Sequence, residues 1–178
     1  MSEPRIVYLS NHFSGAVKLG YLADRGVRPT ALIALSPEDA DRYRVAGYHD
    51  FREDAARLGI PLHQARSFTL EHPDDDAFVR SQAGDLLLIS GWQRLIPASI
   101  LELFSRGAVA EHGSAEYLPR GRGRSPVAWT LIAGRPRFVV HLFLADAGAD
   151  SGRIIDFDAV DLNPFDDIFT VYAKVGLL

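Results

Sequence analysis

The feature that most constrains the fold of this chain is an alternation of apolar, strand-like runs with helix-like segments that end at a glycine. The run Ile6–Leu9 is rich in β-forming residues, and a helical pattern follows over Ala16–Arg25 and ends at Gly26. A second strand is predicted over Thr30–Leu35. Two strands joined by a helix pair in parallel through a right-handed crossover. The chain therefore begins as a βαβ unit.

The alternation continues through the middle of the chain. A helix is predicted over Asp50–Leu58, with a stop at Gly59, and a short strand over Ile60–His63. The acidic run Asp74–Asp76 is interpreted as the solvated start of a further helix. Asp85–Ser90 contains four consecutive apolar residues, which is typical of a strand buried on both faces. We therefore predict an α/β fold of the Rossmann-like type, with a doubly wound, mostly parallel sheet flanked by helices.

The pattern changes after Gly107, where glycine, proline and arginine become frequent between the apolar runs. The elements predicted there are a strand ending at His112, a helix over Pro126–Ile132, a strand over Phe138–Leu144, a loop over Asp146–Gly152 and a strand-helix segment over Asp166–Lys174. Ligands of doubly wound sheets bind at the carboxyl ends of the strands. This rule points to the neighbourhoods of Asn11, Gly91 and His112.

Length and composition exclude several classes of protein. A chain of 178 residues is long enough for one domain with its own core, so we predict a single domain over residues 1–178. The formal net charge of -4 gives no global basic field, which argues against general nucleic-acid binding. The absence of cysteine excludes disulfides, thiolate metal sites and cysteine nucleophiles. No signal peptide is recognisable and no apolar run approaches the about 20 residues that span a bilayer, so a cytoplasmic location without membrane contact is expected.

Several short motifs occur in a fixed order along the chain. They are the strand and loop Leu86–Pro97, His-Gly-Ser at 112–114, Leu118 and Pro119 with Arg120, Arg122 and Gly123 after them, and Gly-Ala-Asp-Ser-Gly at 148–152. One such motif alone is weak evidence. The same motifs in order on a compatible βαβ frame are considerably more specific.

Together these motifs resemble those of the folate-dependent formyltransferases, and the resemblance covers most of the chain. It implies a transferase that moves a formyl group from 10-formyltetrahydrofolate to a substrate amine. Acceptors in that family include amino sugars attached to nucleotides, amino acids on carriers and purine intermediates. The acceptor expected here is a small-molecule amine, either anionic or presented on a carrier. A homo-oligomer that shares its acceptor site is compatible with this expectation.

The resemblance also assigns roles to individual residues. His112 and Asp150 match the catalytic histidine and aspartate of the family. The residues expected to bind the folate donor are Leu88, Ser90, Gly91, Trp92, Leu95, Asp146 and Gly148. The residues expected to bind the acceptor are Ser114, Arg120, Arg122 and Gly123. His141 lies in a strand where the family often has a histidine.

The chain departs from the family pattern in two places. Ala110 stands two residues before His112, where the family has an asparagine. Three residues, 115–117, separate Ser114 from Leu118, where the family usually has one. An asparagine amide can donate to an oxyanion, and alanine cannot. These departures leave open a divergent substrate, a rearranged oxyanion site or lost activity.

The chemistry of formyl transfer explains why a histidine and a carboxylate are needed. An amine that attacks a formyl carbonyl creates a negative oxygen and a positive nitrogen, so the site must stabilise the oxygen and remove a proton. Imidazole can do either near neutral pH, and a nearby carboxylate orients it and favours its charged form. Glu111 adjoins His112, but neighbouring side chains on a strand point to opposite faces. Glu111 is therefore expected to face away.

Simpler interpretations of the same residues stay open. His141 either faces the site or makes a buried structural hydrogen bond. The alternating Arg120, Arg122 and Arg124 suit a phosphate or carboxylate, or belong to a solvated loop. Trp92 and Trp129 are expected to be core or pocket-wall residues.

Alternative functions are also open. The candidate ligands His112, Glu111, His141 and Asp150 have no established metal-binding spacing, so no metal is expected. A regulatory protein that binds folate without turnover is one alternative to transfer. Hydrolysis of the formyl carrier, with water in place of the amine, is another.

Overall fold

The computed structural model describes residues 3–176 and 178. The helices and strands are β1 Ile6–Ser10, α1 Phe13–Asp24, β2 Ala31–Leu35, α2 Pro37–Arg42, α3 Arg52–Leu58, β3 Leu62–Ala65, α4 Pro73–Gln82, β4 Leu86–Ser90, α5 Ala98–Leu101, β5 Ala108–Ser114, α6 Pro126–Ile132, β6 Arg137–Leu144, β7 Ile154–Asp161 and α7 Ile168–Val175. Among these residues, no helix is long and apolar enough to cross a bilayer.

The described strands form a seven-stranded sheet in the order β3-β2-β1-β4-β5-β6-β7. β1 pairs in parallel with β2 and β4, and β2 pairs in parallel with β3. β6 and β7 pair antiparallel, with His141 opposite Phe157. The predicted α/β fold, a doubly wound and mostly parallel sheet flanked by helices, is confirmed.

The chain packs as two compact units that divide between Val109 and Ala110. In the first unit every residue of β1 and β2 is buried, as expected for parallel strands covered on both faces. Tyr8, Leu32 and Phe51 belong to an apolar cluster of this unit. In the second unit α6, β6 and α7 meet around Val127, Phe138 and Val171. Whether the two units fold as the single predicted domain stays a prediction.

The acidic run does begin a helix, but its solvated interpretation is wrong for Asp75. α4 starts at Pro73, and Asp75 is fully buried. Its carboxylate accepts hydrogen bonds from His63 Nε2 at 2.8 Å and from the N–H groups of Arg66 and Ser67 at about 3 Å. A carboxylate with several donors can stay buried, because these bonds replace its hydration.

The end of the chain differs most from the sequence prediction. The strand β7 was not predicted, and the segment predicted as strand plus helix is a helix only, α7. β7 mixes apolar and acidic residues and is exposed over most of its length, so it lacks the alternation of a half-buried strand. Its pairing with β6 defines it as a strand. α7 is fixed at its start by a capping box between Asp167 and Thr170.

Candidate active site

The strand β5 places the key histidine on its buried face. Alternate residues Ala110, His112 and Ser114 are buried, and the residues between them are half-buried. Glu111 therefore points to the other face, as predicted. Its charge adds to burial, the larger cause, in raising the pKa of Tyr172 on α7. Ala110 shares the face of His112 and brings no hydrogen-bonding side chain to it.

Both ring nitrogens of His112 face oxygen acceptors. Nε2 donates to the carbonyl of Gly121 at 2.9 Å, because a carbonyl can only accept. Nδ1 lies 3.4 Å from Oδ2 of Asp150. A ring with a proton on each nitrogen satisfies both acceptors, whereas a neutral ring satisfies only one. The predicted catalytic residues His112 and Asp150 are thus brought together.

Asp150 is held by its backbone and by the arginine-rich loop. Its φ of 48° lies in the left-handed region, which costs an ordinary residue about 1–3 kcal/mol. The N–H of Gly123 donates to Oδ2 at 2.9 Å, the same oxygen that faces His112. The strained backbone and this bond together fix the direction of the carboxylate.

The loop of residues 120–124 depends on two glycines. Gly121 and Gly123 have φ angles of 74° and 104°, which side chains strongly disfavour. A Cβ on Gly121 would also collide with Oγ of Ser114. That hydroxyl donates to the carbonyl of Arg120 at 3.1 Å and accepts from the N–H of Glu116 at 3.2 Å. Ser114, predicted to contact the acceptor, therefore braces the start of the loop.

His141 makes two buried hydrogen bonds. The N–H of Leu118 donates to its Nε2 at 3.3 Å, so Nε2 is the unprotonated nitrogen. Nδ1 donates to the carbonyl of His112 at 3.2 Å. His141 is fully buried and connects the β5 backbone to the loop that follows it. Of the two interpretations of this histidine, the structure supports the structural hydrogen bond.

The stability of the protein is expected to depend on pH through His141. Burial lowers the pKa of its imidazole below the ordinary value of about 6.5, and the charge of His112 lowers it further. Below about pH 6.5 the unfolded chain therefore binds a proton that the folded chain does not, so stability decreases as the pH falls towards the folded pKa. His141→Asn should remove this part of the decrease in urea unfolding. An equal decline in both proteins between about pH 7 and pH 5 would contradict the prediction.

The loop that carries Asp150 is closed by Asp146. Its Oδ1 accepts from the Ser151 hydroxyl and from the N–H of Gly148, the latter at 2.9 Å. These two bonds, in that order, hold the pKa of Asp146 below its usual range, with a smaller contribution from the charge of Arg122. Asp146 and Gly148, predicted to bind the donor, are both exposed.

The other residues predicted to bind the donor lie in the first unit. Leu88 lies in the middle of β4 and Ser90 at its end, and Gly91 follows with a φ of 67°. Trp92 is buried, and its indole N–H donates to the carbonyl of Phe68 at 3.2 Å, so it packs as a core residue. Leu95 is exposed.

A buried amide was not assigned a role by the sequence motifs. Asn11 follows β1 and is fully buried. Its Oδ1 accepts from the N–H of Leu35 at 2.6 Å, but its Nδ2 has no hydrogen-bond partner within the described residues. Such orphaned donors are rare. Ser10 and Ser90 pair in register, so Asn11 and Gly91 leave the same edge of the first unit's sheet.

A pocket of about 470 Å³ lies on the second unit beside the arginine-rich loop. The predicted acceptor residues Ser114, Arg120 and Arg122 line it, together with Glu116, Arg124, Trp129 and Arg135. Sequence reasoning did not find Glu116 or Arg135. The alternation of Arg120, Arg122 and Arg124 was the available signal, but Arg135 lies beyond α6 and reaches the pocket only through the fold.

No cluster of metal-binding side chains is found in the described part of the chain. Between residues 3 and 176 there is no group of three or more histidine, aspartate or glutamate side chains arranged to hold an ion.

Comparison with known proteins identifies the family. A family model described as formyl transferase matches residues 31–177. This chain therefore belongs to the formyl transferase family, as its motifs predicted. Members of the family use 10-formyltetrahydrofolate as the formyl donor.

Individual relatives agree with this family. The methionyl-tRNA formyltransferase of Myxococcus xanthus is 27% identical over 178 residues, which are all of this chain and 55% of that protein. The phosphoribosylglycinamide formyltransferase of Bacillus halodurans superposes with a TM-score of 0.74 at 18% identity, over 97% of this chain and 88% of that chain. A formyltetrahydrofolate deformylase from Pseudomonas syringae gives a TM-score of 0.76 at 15% identity, over 98% and 56% respectively.

These matches differ in how much of each relative they cover and in sequence identity. The chain spans about half the length of the curated relatives it matches. The solved structures share the fold with this chain, at identities too low to carry their activities over to it.

Proposed function

We propose that this chain transfers a formyl group from 10-formyltetrahydrofolate to a substrate amine, with His112 and Asp150 as its catalytic pair. The observation that carries the proposal is the arrangement of the imidazole between the carboxylate at 3.4 Å and the Gly121 carbonyl at 2.9 Å. An oriented histidine beside a carboxylate can accept and return a proton. The family supplies the donor, whose formyl carbon is the electrophile.

His112 can serve the reaction in two ways. As a base it accepts the proton that the attacking amine releases, and the Asp150 carboxylate stabilises the resulting charge. As a charged donor it stabilises the negative charge that develops on the formyl oxygen. The second role would replace the hydrogen bond of the family asparagine, because Ala110 offers no donor on the buried face of β5.

The Gly121 contact has a mechanistic consequence. Nε2 of His112 donates a proton to a hydrogen bond with that carbonyl, so the ring has to break this bond before Nε2 reaches a substrate atom. For the base role, Nε2 also has to give up its proton before it can accept one from the amine. Hydrogen bonds at active sites often rearrange when substrate binds. The exchange is local, because residues 120–124 are exposed and Gly121 is conformationally permissive.

The edge of the first unit's sheet has features that suit a folate. The unpartnered Nδ2 of Asn11 offers a donor for a heteroatom of a pterin ring. Gly91 follows β4 at the same edge, and its lack of a side chain leaves room for the side chain of His12. We propose that Leu88, Ser90, Gly91 and Leu95 contribute to this site, with Trp92 supporting it from the core. Asp146 and Gly148, which belong to the second unit, are also proposed as donor-binding residues.

The acceptor is proposed to be a small-molecule amine with an anionic group. Arg120 and Arg122 contribute positive charge, Gly123 orients Asp150, and Ser114 holds the start of the loop. Methionyl-tRNA, the substrate that the name of the Myxococcus relative implies, is a carrier-bound alternative. Formylation assays with both kinds of acceptor separate these two.

Folate is expected to stabilise the folded protein. A ligand that binds only the native state raises the free energy of unfolding by about 2.7 kcal/mol at a hundredfold excess over its Kd. The measurement is the thermal unfolding temperature with 5-formyltetrahydrofolate, a stable analogue of the donor. Folic acid tests whether reduction of the ring matters. No upward shift at saturating reduced folate would contradict the proposed donor.

The alternative functions give different products. A hydrolase would release formate from 10-formyltetrahydrofolate without an acceptor, and a binding protein would release none even with a broad panel of amines. The replacement of the family asparagine by Ala110 is the observation that favours loss of turnover. Acceptor-dependent appearance of tetrahydrofolate distinguishes transfer from both.

A further inference from the structure

His12 packs against two loops of the first unit. It stands two residues after the end of β1 and is buried. A Cβ on Gly47 would lie 2.2 Å from Nε2 of His12, and a Cβ on Gly91 would lie 2.4 Å from the Cβ of His12. Both glycines also have positive φ angles, 64° and 67°, which side chains disfavour. The side chain of His12 therefore occupies the space that these two glycines leave open.

A helix cap does not explain why His12 is buried. Its Nδ1 accepts from the N–H of Ser14 at 3.2 Å and so caps α1. His72 caps α4 in the same way, by accepting from the N–H of Asp74 at 3.2 Å. The side chain of His72 is nevertheless 40% exposed. A capping histidine can thus stand at the surface, and the packing of His12 against the two glycines is a separate feature.

The loop of residues 46–49 is fixed to the end of β1 by its backbone. The N–H of Phe13 donates to the carbonyl of Gly47, and the N–H of His49 donates to the carbonyl of Asn11, both at 3.0 Å. These two hydrogen bonds hold the loop on either side of residue 48. The loop therefore presents Gly47 to the imidazole of His12 in a fixed position.

The loop of residues 91–95, here called the donor loop, meets the same side chain. It contains Gly91 and Leu95, which are proposed to contribute to folate binding. Gly91 packs against His12. Nε2 of Gln93 donates to the carbonyl of Ala46 at 2.7 Å, which joins the donor loop to the loop of residues 46–49. The side chain of His12 therefore helps to set the path of the donor loop as it leaves β4.

We propose that His12 is a positioning residue for the formyl donor: its imidazole holds the donor loop in the conformation that receives the folate. The inference rests on the proposed function, because it requires that the folate binds at the donor loop. A loop that is already ordered loses less entropy when a ligand binds. If the loop is competent for only part of the time, the apparent Kd rises by the inverse of that fraction. The effect therefore falls on donor binding and spares the later chemical step.

The test makes the same substitution in the two capping histidines. His12→Asn keeps a good N-cap residue and removes the ring that packs on the glycines. We expect it to raise the Kd for 5-formyltetrahydrofolate and the KM for the donor about tenfold, with kcat at saturating donor within about threefold of the native value. His72→Asn is the matched control, and it should leave all three quantities unchanged. Circular dichroism checks that each variant is folded.

His12→Leu separates the volume of the side chain from the helix cap. Leucine is close to imidazole in size but accepts no hydrogen bond, so it fills the space and loses the cap. The thermal unfolding temperature should fall in this variant. The Kd for 5-formyltetrahydrofolate should stay within about threefold of the native value, because the donor loop keeps its support.

Amide hydrogen exchange follows the donor loop without folate or turnover. Loss of the packed ring should let the loop open locally, and local opening speeds exchange. We therefore expect faster exchange at residues 91–95 in His12→Asn than in the native protein. The exchange of the same residues should be unchanged in His72→Asn.

Several results would overturn the proposal. Native folate affinity and native exchange at residues 91–95 in His12→Asn would remove the role of His12. Equal weakening of folate binding in His12→Asn and His12→Leu would show that filling the space is not what matters. A loss of kcat as large as the rise in KM would place the effect on the reaction itself. If the native protein binds no reduced folate, the proposed function is wrong and the inference falls with it; if only His12→Asn behaves as native, the inference alone is wrong.

Discussion

Replacing His112 or Asp150 with asparagine is expected to reduce formyl transfer about 10²–10⁴-fold, the usual contribution of a positioned acid or base. His112→Asn removes the group that exchanges the proton. Asp150→Asn keeps the shape of the side chain and removes the charge that lies 3.4 Å from the imidazole. The measurement is kcat and KM for formyl transfer, with folate binding followed separately. Folate affinity should change little in either variant.

The double substitution tests whether the two residues act as a unit. If each acts through the other, the double variant should lose little more activity than the worse single variant. His72→Asn is the control for a histidine change, since His72 caps α4 in the first unit and asparagine is itself a good cap. Independent, additive losses would mean that His112 and Asp150 serve different steps. Nearly full activity in His112→Asn would exclude it as the catalytic centre.

Ala110→Asn is the companion to these changes. Residue 110 shares the buried face of His112, so an amide there would point to the same side of the strand. Formyl transfer should increase in this variant if the site still places the formyl oxygen within reach of that amide. Its failure to raise transfer, with the fold intact, would indicate that the charged imidazole has taken over the role.

Replacing His141 with leucine is expected to lower the free energy of unfolding by about 2–6 kcal/mol. The change leaves two buried backbone groups without partners, the carbonyl of His112 and the N–H of Leu118, and each such group costs about 1–3 kcal/mol. Urea unfolding measures the loss. Formyl transfer should fall as well, because the backbone of His112 loses a support.

His141→Asn separates hydrogen bonding from packing. An asparagine amide can reproduce the donor that the His112 carbonyl receives, but it does not reach the position of Nε2. This variant should therefore lie between the native protein and His141→Leu in stability. If the leucine variant is as stable as the native protein, the two hydrogen bonds contribute nothing and the structural role assigned to His141 is wrong.

Strands with an apolar pattern were predictable, and the strand without one was not. β1 and β2 are largely apolar runs whose residues are all buried, because both of their faces are covered. β4 has the same apolar pattern, although three of its five residues are only half-buried. β7 is mostly exposed and rich in aspartate, so it is a strand only because β6 pairs with it. Hydrogen bonds to a distant partner leave no local pattern.

In the candidate site, too, some features were predictable from the sequence and others were not. The motifs around His112 and Asp150 gave both members of the pair, because the family resemblance fixes their identity and order. The hydrogen-bond partners of these two side chains were not predictable. The carbonyl of Gly121 and the N–H of Gly123 are backbone groups, which every residue type carries alike.

By itself, the sequence determined the mostly parallel α/β sheet, the formyl transferase family and the pairing of His112 with Asp150. The periodicity of apolar residues and a few short motifs carry that information locally. Only the tertiary structure decided that His141 is a structural hydrogen-bonding residue, that Asp75 is buried, and that Arg135 joins the arginines of the loop. The physical reason is that these properties depend on which donors, acceptors and charges the fold brings together from distant parts of the chain.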